Sequence, residues 1–77
     1  MSMQILNWAF AQECQTPSDK LVLLTMAHFA DFDGGYEAPN STLADQSGLP
    51  EMAVTKSLSS LESAGLISAT TDPGRVK

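Results

Sequence analysis

The 77 residues suffice for one small domain of three or four short elements and leave no room for a second core or a large catalytic cleft. Apolar residues make up 43% and charged residues 17%, a balance that permits a packed interior and excludes a disordered composition. The net charge of −5 weighs against a polyanionic partner, but residues 41–77 set Lys56, Arg75 and Lys77 against only Asp45, Glu51, Glu62 and Asp72, so an anion-facing surface is expected in the second half.

The chain opens without Lys or Arg before Lys20, and Gln4 and Asn7 interrupt its first apolar stretch. A signal peptide is not expected, and a cytoplasmic address is the default. From Gln4 to about Cys14 the apolar Leu6, Ala9, Phe10 and Cys14 recur at three- and four-residue steps with Trp8 beside them, which predicts a short amphipathic helix. Trp8, Phe10, Phe29 and Phe32 are expected to form core rather than a ligand pocket. Cys14 is the one cysteine and cannot close an internal disulfide; it reads as a small boundary residue.

Thr16-Pro17-Ser18-Asp19 carries the signature of a helix start, with Thr16 as cap, a proline in the first turn and an acid at the positive end of the dipole. The helix that follows, about Ser18 to Asp31, holds Leu21, Val22, Leu23, Leu24, Met26, Ala27, Phe29 and Ala30 on nearly every face and is expected to be central. Its longest unbroken apolar run, Leu21 to Leu24, falls far short of the roughly 20 residues that span a bilayer, so no membrane is expected as a partner. His28, the one histidine, reads as a packed or boundary residue; no metal-ligand spacing or catalytic constellation surrounds it, so no metal, cofactor or enzymatic activity is expected. Asp31-Phe32-Asp33-Gly34-Gly35 stops the helix, and the stretch from Tyr36 to Pro39 suits a short edge strand.

Asn40-Ser41 is expected to cap a compact helix from Thr42 to Ser47 with Leu43 and Ala44 inward, ended by Gly48. Leu49 anchors the turn, Pro50 marks the next helix start, and that helix runs from Glu51 to about Ala64 with Val54, Leu58 and Leu61 inward, closed by Gly65. Leu66, Ile67, Ala69 and Thr71 suit a strand, Asp72-Pro73-Gly74-Arg75 a turn, and Val76 the start of a returning strand. The expected architecture is mainly α with a small β-wing: a winged helix-turn-helix of three to four helices plus a short β-hairpin, in a single domain over residues 1–77.

The stretches KLVLLTMAHFADFDGG and NSTLADQSGLPEMAVTKSLSSLESAGLI resemble the winged helix-turn-helix domain of phage and prophage replication proteins and related bacterial regulators, and NWAF at residues 7–10 resembles that family's N-terminal helix. The resemblance spans about residues 5–70 and implies double-stranded DNA as partner, in replication initiation or transcription control. It also implies a recognition helix at residues 51–64. Where the family usually has Ser, basic residues and Thr at that helix's start, this chain has Pro50, Glu51, Met52 and Ala53; Thr55 and Lys56 match polar and basic positions, and Ser59 stands where a basic residue is common.

The candidate DNA-binding residues follow. Glu51 can accept from a cytosine amino group, although it faces phosphate repulsion and fits equally as a helix-dipole residue; Met52 can touch a thymine methyl. Thr55, Lys56 and Ser59 continue that face, with Lys56 able to reach a phosphate or a guanine edge. Ser41 and Thr42 can donate to phosphates from a helix start, where capping explains them as well, and Arg75 and Lys77 fall at and after the wing turn. The alternative reading is a winged helix used for protein contact or dimerisation without DNA binding, motivated by the cations missing at residues 51, 52 and 59. A homodimer or a larger replication or regulatory protein is the expected assembly, because three cations give weak binding alone. A returning strand normally takes about five residues, so the chain is expected to be either the N-terminal fragment of a longer protein or a minimal domain with a truncated wing.

Overall fold

The computed structural model describes residues 3–30, 35–36, 39–68 and 74–76. Four helices occur among them, α1 (Met3–Ala11), α2 (Pro17–Phe29), α3 (Asn40–Ser47) and α4 (Glu51–Ser63), together with three short strands, β1 (Gly35–Tyr36), β2 (Ile67–Ser68) and β3 (Gly74–Val76).

The central position belongs to α2, which packs against α1, α3 and α4 and touches β1 and β3. Its start is the one the sequence predicts: Thr16 is extended, its side chain accepts from the Asp19 N–H at 3.1 Å, and Pro17 occupies the first turn. Val22, Leu23, Met26 and Ala27 are buried, and the Thr25 hydroxyl satisfies itself by donating to the Leu21 carbonyl at 2.7 Å. Leu23 and Met26 meet Leu43 of α3, Val54 and Leu61 of α4 and Val76 of β3 in one core cluster. His28 is exposed, not packed; it stands edge-on to Phe29, with ring centroids 5.2 Å apart, because the last turn of α2 projects it away from that cluster.

The first helix is shorter than its apolar pattern suggests. It closes at Ala11, with the Gln12 N–H donating to the Ala9 carbonyl, the Gln12 side-chain amide donating to the Trp8 carbonyl, and the Lys20 ammonium of α2 donating to the carbonyls of Phe10 and Gln12. These donors satisfy the helix end from outside, so the chain need not continue to Cys14. Ala9 is the residue of α1 that is buried, while Trp8 packs partly against the core. Phe10 is 60% exposed, contrary to its expected place inside, because so short a helix buries one narrow stripe and Phe10 lies off it. Cys14 follows in the connecting segment as a half-buried free thiol.

Instead of an Asn40-Ser41 cap, α3 starts at Asn40 with Pro39 at the cap position. Pro39 is extended at φ −67° and ψ 160°, and its carbonyl accepts from Thr42 and Leu43 while no side chain caps the helix. Proline's fixed φ suits that junction, which lets the helix begin two residues early. Leu43 and Ala44 point inward as the pattern requires. Gly48 ends α3 at φ +79°, and the N–H groups of Gly48 and Leu49 both reach the Ala44 carbonyl, at 2.9 and 3.2 Å. Pro50 precedes α4 at φ −65°, so the turn between the helices is Gly48-Leu49-Pro50. At the far end the Leu66 N–H returns to the Leu61 carbonyl at 3.0 Å across Gly65.

The strands form a three-stranded antiparallel sheet in the order β1-β3-β2, with Gly35 opposite Arg75, Tyr36 opposite Gly74, Ile67 opposite Val76 and Ser68 opposite Arg75. Gly74 and Arg75 thus belong to a strand rather than to the predicted turn, because β1 supplies a second partner that extends pairing upstream of Val76. A two-residue edge strand is present at Gly35–Tyr36, sharing Tyr36 with the expected stretch, while Glu37 and Ala38 lie outside the described residues and Pro39 is the α3 cap rather than strand. The helix stop at Asp31 to Gly34, the place of Phe32, the segment at Ala69 to Pro73 and Lys77 lie outside the described residues.

Candidate nucleic-acid interface

The helix pair α3–α4 is the local geometry of interest: eight and thirteen residues joined by a three-residue turn containing a left-handed glycine. The inward positions of α4 are Val54, Leu58 and Leu61, with Ser57 also buried, and these commit one side of the helix to α2 and α3. Helical periodicity then forces the other side outward. Glu51, Met52, Thr55, Lys56 and Ser59 are all exposed and line one open surface depression. Met52, at 86% exposure, is the most uncovered large apolar side chain described.

This row is chemically mixed. It offers a carboxylate at the helix start, a thioether beside it, two hydroxyls and one ammonium, and Lys56 is the one cation in the sequence of α4. The other candidates are more scattered. Ser41 is exposed and Thr42 half-buried in the first turn of α3, preceding α4 in the chain. Arg75 lies in β3, where its backbone faces Ser68 and Gly35, and Lys77 is outside the described residues.

A feature that the sequence reading did not single out joins α4 to the start of α2. Asp19 is 5% exposed, and the Ser60 hydroxyl donates to its Oδ2 at 2.8 Å. Its backbone N–H is held by Thr16, so the carboxylate projects from a capped and ordered first turn. A groove beside this contact is lined by Thr16, Asp19, Ala53, Lys56, Ser57 and Ser60, which puts Lys56 on the wall of both depressions. The visible signal was the run of small residues Ala53, Ser57 and Ser60 at four- and three-residue steps, a face on which a neighbouring helix can approach closely.

A family described as a helix-turn-helix domain matches residues 16–67. The chain belongs to the helix-turn-helix domain family. The match begins at the Thr16 cap and ends in β2, so it contains α2, α3 and α4 and leaves α1 and β3 outside. No curated protein and no solved structure matches the chain. For a helix-turn-helix domain the partner class is DNA in general, with the second helix of the pair as the reading element and the first crossing the backbone. Such domains are typically DNA-binding modules without enzymatic activity. Among the described residues of this helix-turn-helix domain, no helix is long and apolar enough to cross a membrane, and no cluster of His, Cys, Asp and Glu could hold a metal ion.

Proposed function

We propose that the chain binds double-stranded DNA as a winged helix-turn-helix, with α4 in the major groove. The observation that carries this reading is the exposed row Glu51, Met52, Thr55, Lys56 and Ser59 on the side of α4 opposite its core residues. At about 1.5 Å rise per residue that row runs for roughly 12 Å, the length of three to four base-pair steps, and a helix about 10–12 Å in diameter fits a groove about 12 Å wide. Lys56 contacts a phosphate or a guanine edge, Thr55 and Ser59 donate to or accept from polar groups, Met52 packs on a thymine methyl, and Glu51 accepts from a cytosine amino group. Ser41 and Thr42 reach phosphates from the start of α3. Arg75 and Lys77 touch the sugar-phosphate backbone from the side of the β2–β3 strand pair.

The resemblance of the chain to phage and prophage replication domains supports a setting in replication initiation or transcription control. Functional affinity then comes from a homodimer or from attachment to a larger protein, since one ammonium on α4 gives little electrostatic grip. A second reading, a surface for protein contact without DNA, is favoured by the uncovered Met52 beside Glu51 on an acidic chain.

Titration with random-sequence duplex at about 50 mM salt separates the two. The expected result is weak binding that Lys56→Glu and Arg75→Glu both abolish. No binding by the unaltered chain under those conditions removes the DNA reading in favour of protein contact.

A further inference from the structure

A recognition helix must be held at one rotation about its axis, because turning it carries every reading side chain past the base edges. The apolar contacts of α4 choose which side faces inward, and a directional contact narrows the rotation that remains. Val54, Leu58 and Leu61 are held by burial, which is non-directional, and the face that meets α2 carries the small Ala53 and Ser57, which offer little to interlock. A directional contact between α4 and α2 is the hydrogen bond from Ser60 to Asp19, at 2.8 Å. Ser60 follows Ser59 of the exposed row and lies one turn beyond Lys56. On the other side, Asp19 sits in the first turn of α2, where the helix dipole favours its charge and Thr16 fixes its backbone.

We propose that Asp19 and Ser60 act as a positioning pair that sets the rotation of α4, and with it the sequence preference of the reading row. This rests on α4 being the element that reads DNA. Neither residue touches the nucleic acid; Asp19 acts through Ser60. The pair governs discrimination between base sequences more than general attraction to duplex, since phosphate contacts tolerate a small rotation that base-edge contacts do not.

The test uses the 77-residue chain, a random-sequence duplex pool and a duplex selected from that pool by the unaltered protein. Ser60→Ala is expected to reduce the selected-over-random affinity ratio by roughly tenfold, while random-duplex affinity and its salt dependence stay the same. Asp19→Asn, whose amide oxygen still accepts from Ser60, is expected to hold the ratio within about threefold of the original. Val22→Ala, which loosens the core of α2 without touching the pair, serves as the stability control. Should S60A fail to fold, Ser60→Cys keeps the side-chain size with a far weaker donor and carries the same comparison. An unchanged ratio in the folded Ser60 variant, or an equal loss in V22A, overturns the proposal. If the unaltered chain binds no duplex, the DNA reading falls, and amide residual dipolar couplings decide the pair separately. Reorientation of α4 against α2 in S60A, restored geometry in D19N, supports the positioning role; unchanged orientation in S60A overturns it.

Discussion

Met52 stands almost fully in water at the start of α4, beside the charged Glu51. Removing an exposed side chain that supports no core contact changes stability by no more than about 0.5 kcal/mol. Met52→Ala is therefore expected to leave thermal unfolding within a degree or two while weakening preference for a selected duplex; a large fall in unfolding temperature would show that Met52 is a structural residue. Cys14 behaves in the opposite way, because its surroundings act on its chemistry. Burial pushes the thiol above its ordinary pKa, the Lys20 ammonium pulls it partway back, and the Asp19 carboxylate adds a smaller upward push. The folded state thus favours the neutral thiol, so its contribution to stability is present at neutral pH and declines as pH climbs from the ordinary thiol range towards the raised value. Alkylation with iodoacetamide is expected to show a pH midpoint above the ordinary thiol value in the folded chain and a return to that value in urea; equal midpoints would contradict it.

The turns between elements depend on backbone conformation more than on contacts. Gly48 sits at φ +79° with open space where a Cβ would stand, so a substitution there costs the left-handed conformation itself and not a clash. Gly48→Ala is expected to lower stability in urea unfolding by about 1–2 kcal/mol, and Gly48→Asn by less. Both Gly48 and Gly65 were readable as helix ends, since each follows an apolar pattern that stops one turn earlier. The cores of α2 and α4 were readable for the same reason: their inward residues recur at helical steps, and the outward row of α4 is what those steps leave over. Other features were not legible. Leu6, Ala9 and Phe10 all fall within the apolar pattern of a nine-residue helix, and only packing decides that Ala9 is buried while Phe10 is left exposed. The Lys20 contacts to Phe10 and Gln12 and the Asp19–Ser60 bond join separate elements, so local spacing can mark a small-residue face on α4 but not the partner that meets it. Strands of two and three residues are too short to display alternation, and the partnership of β1 with β3 depends on everything between them.

For the whole molecule, charge distribution governs how the proposed binding responds to solution conditions. If Lys56, Arg75 and Lys77 each neutralise one phosphate, the logarithm of affinity falls against the logarithm of salt concentration with a slope of roughly −3, and a linked dimer roughly doubles it. Measuring affinity at several salt concentrations checks this; a slope near zero would remove these cations from the interface. The sheet order carries a consequence of another kind. Among the described strands the last in sequence, β3, occupies the middle of the sheet, and its Val76 side chain is buried in the core. Gly35 must wait for Arg75 across the whole intervening helical pair, so this closure is a long-range step in assembly and comes after the local turns of helix. During synthesis on a ribosome, β1 and β2 emerge before the segment that zips them together, and the nascent domain carries an open seam until that last strand arrives.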